Sequence, residues 1–345
     1  MKVPEPQKLP SGNYFIRLRL GGSSIPITTA TAAECRRQAQ LIKAEYLSGK
    51  RQASPDHSSA TLGQLIDQYI AKYELALSPA TIRGYVGVRR NRFQCYMDTP
   101  ISKIDLQKMI NEELLIPKSR KTVKNAWGLV SAALRDAGAS LPAVKVGKVP
   151  IKEIPFLQPD EIMPFCKAME GDVAEIAALL ELHGLRASEV KGLTWSDIDL
   201  SRGLIRVHSA VVPNKENKYV AKDTTKNATS TRTVPIMIPR LKEILAAVED
   251  KTGCVVSLHP TNCLRRINQG CKTAGVTVVG NHGLRHSFAS LCYHLGIDDR
   301  QIMEWGGWAD TTTMHKIYIR LAEKDKAAAA SKMSGFFSKT DEAST

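Results

Sequence analysis

The sequence predicts a multidomain chain: a small α+β amino-terminal domain (residues 1–52), an all-α helical unit (60–141), and a mixed, mainly α carboxy-terminal domain with a small antiparallel sheet (156–345). Three observations carry this expectation. A length of 345 residues is about twice that of a typical domain. Residues 11–29 alternate apolar and polar side chains, whereas apolar residues recur at helical spacing between 31 and 137. From Phe156 onward, short strand-like runs are interleaved with helical ones.

In the first domain, SGNYFIRLRLGGSSIPITT reads as a hairpin turning at Gly21-Gly22, with Arg17 and Arg19 on one face. The following TAAECRRQAQLIKAEYLSGK has helical periodicity and a glycine stop. RQASPDHSSA at 51–60 is a linker. Thr61 and Gln64 then form a capping box ahead of a helix whose apolar face is Leu62, Leu65, Ile66, Tyr69, Ile70 and Tyr73. Ser78 and Pro79 open a second helix, carrying Arg83, Arg89, Arg90 and Arg92. A third spans Asp105 to Leu115, and a fourth about Lys118 to Ala137, with Lys121 and Lys124 near its start. PAVKVGKVPIKEIP at 142–155 has three prolines and three lysines and reads as a connector running along a polyanion. Beyond it, helices are expected at 159–169, 172–182, from Arg186, and at 239–249, 260–274, 283–295, 298–305 and 310–321. Strands are expected at 203–211, 218–224 and 232–237.

Composition narrows the function classes. With 43% hydrophobic and 24% charged residues, the chain is neither disordered nor fibrous. No apolar run approaches the roughly 18 residues of a membrane span, and MKVPEPQKLP lacks a secretory h-region, so a cytoplasmic address without membrane contact is expected. Seven widely spaced cysteines without a C-x-x-C pair read as reduced thiols rather than a disulfide framework or a zinc site. The net charge of +14 points to a polyanionic partner, and its distribution is uneven. Residues 1–52 hold nine Lys/Arg against three acids and 60–148 hold fourteen against seven, while 149–345 hold twenty-five against twenty-three.

The residues with chemical potential are individually ordinary. Arg186 opens a helix with Glu189 three residues on, which is an ion-pair spacing; a surface arginine in a turn is the bland alternative. Lys226 falls between two predicted strands, at what reads as a hairpin tip, where most lysines are simply solvated. His282 and Arg285 share a helical face, with His286 beside them as packing. Trp308 follows a Gly-Gly turn, where a tryptophan is commonly core. Tyr318, in a terminal helix, would usually be structural.

Taken in order, G-L-R-A-S-E (184–189), a lysine ahead of R-T-V-P (232–235), H-G-L-R-H-S (282–287), G-G-W (306–308) and T-T-M-H-K-I-Y (312–318) resemble the tyrosine recombinase, or phage integrase, family. The catalytic resemblance covers roughly residues 155–325. The unit at 60–141, with SPATIRGY, looks like the family's core-binding domain, and residues 1–52 look like an arm-type DNA-binding domain. The resemblance implies a site-specific recombinase that cleaves and rejoins DNA through a 3′-phosphotyrosine, with neither cofactor nor metal. Arg186 and Arg285 would clamp the nonbridging phosphate oxygens, since guanidinium forks match phosphate geometry and stay charged. Lys226 would protonate the leaving 5′ oxygen, with Lys222 as the alternative. His282 would assist proton transfer from Tyr318, the nucleophile, or hold the phosphate, and Glu189 would support the arginines from behind. Trp308 stands where many members carry histidine; its indole N–H can donate a hydrogen bond but cannot shuttle a proton.

The implied partners are double-stranded DNA at core and arm sites, a homotetramer assembled on it, and accessory DNA-bending or directionality factors, in the nucleoid of a bacterial host. Arg17, Arg19, Arg83, Arg89, Arg90, Arg92, Lys121 and Lys124 are the candidate DNA contacts. Two other classes stay open: an inactive architectural or regulatory DNA-binding protein of the same fold, and a type IB topoisomerase acting as a monomer. A recombinase needs paired subunits, and residues 322–338 offer a tail to dock on a neighbour. Deleting residues 325–345 is therefore expected to spare strand cleavage and lower the recombination yield in a two-site DNA assay; an unchanged yield counts against tail docking.

Overall fold

The computed structural model describes residues 3–20, 23–47, 59–117, 119–139, 141–150, 154–222, 231–280, 282–311 and 334. The chain divides into two compact units, Met1–Pro150 and Ile151–Thr345.

The first unit begins with strands β1 (Gln7–Lys8), β2 (Tyr14–Leu20) and β3 (Ser23–Thr29), which form an antiparallel sheet in that order. Leu20 pairs with Ser23, so two residues, Gly21 and Gly22, connect β2 to β3. The period-two pattern buries Ile16, Leu18 and Leu20 and leaves Arg17 and Arg19 on the solvent face. Helix α1 (Ala32–Leu47) completes a small core through Cys35 and Ala39.

Helices α2 (Leu62–Tyr73), α3 (Pro79–Asn91), α4 (Leu106–Leu115) and α5 (Arg120–Asp136) surround a second core. The Thr61–Gln64 capping box and the Ser78 cap are both present. Leu62, Leu65 and Ile66 are buried against Met109, Ile110, Val123, Leu129 and Leu134. Asp136 closes the α2–α5 contact by accepting from Lys72 Nζ at 2.7 Å and Tyr73 OH at 2.6 Å. The first part of the connector is packed onto this unit. Val144 and Val146 lie on its core, and Gln107 both accepts from Lys145 N (2.8 Å) and donates to Lys145 O (3.1 Å).

The candidate DNA-contacting cations separate here. Arg83, Arg90, Lys121 and Lys124 are exposed. Arg89 is bidentate on Asp67. Arg92 departs furthest from the expectation, because its side chain is only 13% exposed and donates to buried Glu113 at 2.8 Å. The same carboxylate accepts from Phe93 N (3.1 Å), which stabilises a phenylalanine held at φ +54 with its ring in the core. Arg92 thus serves a strained corner of the fold, its charge already balanced by Glu113.

The second unit contains α6 (Pro159–Met169), α7 (Glu175–Leu182), α8 (Ala187–Gly192), β4 (Ile198–Asp199), β5 (Leu204–Val207), β6 (Ala210–Pro213), β7 (Tyr219–Lys222) and β8 (Arg232–Pro235), followed by α9 (Pro239–Ala247), α10 (Pro260–Ala274), α11 (Gly283–His294) and α12 (Asp299–Gly306). Phe165, Met169, Leu179, Leu180, Leu185 and Ile205 are among its fully buried side chains. Of the helix expected at 310–321, nearly all lies outside the described residues.

Two strand expectations are corrected. The run 203–211 is broken after Val207: β5 joins the sheet β4-β5-β8, while β6 pairs only with β7. Ser209 causes the break by donating to Gly192 O at 2.7 Å, which pulls the chain toward α8, where a Cβ on Gly192 would lie 3.1 Å from Ala210 Cα. Among the described residues β7 pairs with β6 and not with β8, and Lys226, expected at a hairpin tip, lies outside the described residues. The hairpin turn is at Asn214–Lys218, where Asn214 Oδ1 accepts from two backbone N–H groups and Asn217 adopts φ +61. Among the described residues no helix is long and apolar enough to cross a membrane, and the seven cysteines are free.

Replacing Glu113 by alanine strands Arg92 and the Phe93 N–H together. The expected cost is about 2–4 kcal/mol in denaturant unfolding, while Glu113→Gln, which keeps an acceptor for Phe93, should cost less.

Candidate active site

The site is assembled from the end of α7 outward. His183 is fully buried, and its Nε2 accepts from Met237 N (2.9 Å) and Ile238 N (3.3 Å). That leaves Nδ1 as the protonated nitrogen, donating to Leu179 O at 2.8 Å. A neutral imidazole thereby staples the α7 terminus to the segment after β8, and burial pushes its pKa down to about 4. Next, Gly184 turns the chain at φ +83 against the Phe288 ring, which a Cβ would approach to 2.8 Å. Two residues later Arg186 caps α8.

Arg186 donates through Nη1 to Glu189 Oε1 (2.7 Å) and through Nη2 to Gly307 O (2.9 Å). Its backbone N–H also donates to Glu189 Oε2 at 2.8 Å. Glu189 receives a second guanidinium, that of Arg232 at the start of β8, with Nη2 2.9 Å from Oε2 and Nη1 3.2 Å from Oε1. Burial alone would raise the Glu189 pKa, but hydrogen bonding and charge from Arg232, then the charge of Arg186, hold it down at about 2. Arg232 additionally donates from Nε to Trp305 O at 2.7 Å.

Arg285 enters from the first turn of α11, 4% exposed. Its Nη1 donates to Gly184 O, and its guanidinium lies 4.0 Å from the Trp308 ring centroid. Its Nη2 is buried and has no hydrogen-bond partner among the described residues. Burial, followed by the charge of Arg186, lowers its pKa to about 9. The G-G-W sequence is explained by sterics. A Cβ on Gly306 would sit 1.9 Å from the Trp308 ring, and one on Gly307, at φ +65, would sit 2.8 Å from Arg232 Nη1.

His282 caps α11, and partial desolvation followed by the charges of Arg285 and Arg186 lowers its pKa. The shift favours the neutral form of the ring. His286 is partly buried, with its pKa down to about 4 and Nδ1 unpartnered among the described residues. Arg186, Glu189, His282, Arg285 and Trp308 are thus brought together. Lys222 is an exposed residue ending β7, and Lys226 and Tyr318 lie outside the described residues. Sequence reasoning overlooked Arg232 and His183. An arginine opening a four-residue strand whose alternate position, Val234, is fully buried signals a counter-charge inside. His183 directly precedes the G-L-R motif.

Three guanidinium groups gathered around one carboxylate leave two positive charges in excess, and Nη2 of buried Arg285 has no hydrogen-bond partner among the described residues. Such a cluster is able to receive an anion, and guanidinium forks match the oxygens of a phosphodiester. The phage integrase family model matches residues 155–325. A tyrosine recombinase XerC of Thermodesulfovibrio yellowstonii is 30% identical over 68% of this chain and 84% of its own length.

The chain belongs to the tyrosine recombinase family. This recombinase is also 26% identical to a XerC-like tyrosine recombinase of Caldanaerobacter subterraneus, over 88% of the chain and 90% of that protein. It is 24% identical to the ICEBs1 integrase of Bacillus subtilis, over 95% and 98%. Its fold is shared with the Tn1549 transposon integrase in complex with transposon right-end DNA (TM-score 0.61, 19% identity, covering 75% of this chain and 94% of that one). A lambda integrase tetramer bound to a Holliday junction is similar too (TM-score 0.52, 20% identity, 90% and 96%).

The His183 staple gives this recombinase a specific acid sensitivity. Its folded pKa, about 4, lies below the unfolded value of 6.5, so the staple's contribution is intact above pH 6.5 and is lost as pH falls toward 4. His183→Gln should flatten the decline of unfolding free energy across that window, measured by denaturant titration at successive pH values.

Proposed function

We propose that this recombinase integrates or excises a mobile element by site-specific strand exchange, with Tyr318 as nucleophile. The observation that carries the assignment of the phosphate site is the buried Arg285, whose Nη2 has no hydrogen-bond partner among the described residues, adjacent to Arg186. A scissile phosphate there would receive charge-assisted hydrogen bonds from both arginines at its nonbridging oxygens as negative charge builds on them. The Tyr318 hydroxyl oxygen attacks phosphorus and its proton passes to neutral His282. The bond to the 5′ oxygen breaks, and that oxygen takes a proton from Lys226, leaving a 3′-phosphotyrosine and a free 5′ hydroxyl. Religation is the reverse step on a different strand, and the stored phosphodiester makes an external energy source unnecessary. Trp308 supports Arg285 by stacking, which accounts for an indole at a position where proton transfer is not needed.

Binding is assigned to the basic amino-terminal half. The domain at 60–141 would grip core sites through Arg83, Arg90, Lys121 and Lys124, and the sheet at 1–52 would read arm sites through Arg17 and Arg19, which its solvent face presents side by side. Support for a mobile-element role comes from the near full-length similarity to the ICEBs1 integrase. The tetramer described for lambda integrase on a Holliday junction supports the same assembly here, and accessory bending or directionality factors and a nucleoid location would accompany it.

A suicide DNA substrate, nicked next to the cleavage point, tests the chemistry. Wild type should accumulate a covalent protein–DNA adduct, and Tyr318→Phe should bind the same DNA without one. Arg285→Ala should slow adduct formation by about 10²–10³ while leaving DNA affinity nearly intact. An adduct with the Phe variant would assign the nucleophile elsewhere, and an architectural protein would give none with wild type.

A further inference from the structure

We propose that Arg232 is a positioning residue of strand cleavage: it fixes the direction in which Arg186 presents its guanidinium to the phosphate. The inference rests on the reading of Arg186 as a phosphate clamp and adds a component to it. Arg186 has two side-chain anchors, Glu189 Oε1 and Gly307 O. Arg232 controls both. It holds Glu189 through a two-pronged ion pair, and it holds the turn before Trp308 by donating to Trp305 O while lying close against Gly307. Its side chain is only 4% exposed, so DNA does not compete for it.

The fork also joins elements that carry the rest of the chemistry. Arg232 opens β8, directly downstream of the segment with Lys226, and Trp305 lies in α12, upstream of Tyr318. A lysine could offer one charge to Glu189 but could not hold two carboxylate oxygens and a carbonyl in one plane. The charged groups acting on Glu189 are Arg232 from β8 and Arg186 from the α8 cap, and Arg285 from α11 senses its charge. Without Arg232, burial of Glu189 is opposed chiefly by Arg186, and the carboxylate becomes able to take up a proton in the working pH range. A neutral Glu189 would no longer hold Arg186 by charge.

The test is single-turnover adduct formation by the full chain on the suicide substrate, read as a rate relative to wild type across pH 6–9, with DNA affinity measured in parallel. Arg232→Gln should cleave roughly 10- to 100-fold more slowly near neutrality, with affinity unchanged and with the relative rate falling further as pH drops. In the double variant Glu189→Gln, Arg232→Gln that pH dependence should vanish. Arg232→Lys should lose less and show a flat ratio; it is also the variant to read if Arg232→Gln does not fold, in which case a wild-type rate overturns the proposal. A wild-type rate for Arg232→Gln, or equal losses in both single variants with a flat ratio, likewise overturns it. Arg186→Ala separates the two layers. If that variant cleaves at the wild-type rate, the clamp reading fails; if it is inert while Arg232→Gln is normal, only the positioning role fails.

Discussion

The Glu189 carboxylate must satisfy two guanidinium groups that arrive from different parts of the chain, and most of the carboxy-terminal architecture follows from that requirement. A buried carboxylate is costly unless its charge is met and its lone pairs are filled. Arg186 and Arg232 do both, aided by the Arg186 backbone N–H. In return, Glu189 lets two like charges lie close together behind a third, that of Arg285. Removing the acid would leave three cations with no internal counter-charge, while removing either arginine would leave an underpaired buried acid. The cluster therefore functions as a unit.

The same economy of charge separates the two halves of the molecule. The amino-terminal unit distributes its cations over exposed faces, where each is screened and individually worth little, as suits contact with a long polyanion. The carboxy-terminal unit is nearly neutral in sum and concentrates desolvated cations at one point, where the lower dielectric magnifies each interaction. The two units use the same residue types under opposite solvation. Arg92 is an exception in the first unit, since buried Glu113 engages it and stabilises the turn at Phe93.

Much of the fold was legible in local patterns. The capping residues Thr61 and Ser78, the alternation at Arg17 and Arg19, and the helix starts at Arg186 and Gly283 are decided by neighbours in sequence, and the structure follows them. What local pattern could not supply was pairing. The run 203–211 alternates well enough for one strand, but the Ser209 hydrogen bond to Gly192 is a contact across 17 residues and splits it between sheets. The site shows the same division. Arg186, His282, Arg285 and Trp308 were visible as motif members, whereas the importance of Arg232 depends on where β8 lies relative to α8 and α12. His183 was hidden for a related reason: its partners, Met237 and Ile238, lie more than fifty residues away.

The separation of those partners bears on how the enzyme comes into being. Arg186 is tied to Gly307 across 121 residues, Arg285 to Gly184 across 101, and Arg232 to Trp305 across 73. None of these ties can close until the ribosome has released nearly all of the carboxy-terminal unit, and loop closure over such distances is slow. A nascent or truncated chain can therefore display folded helices while its arginines remain unaligned. Synthesis itself thus orders the arginine cluster late, after the segments that carry Arg186 and Arg232 have already emerged.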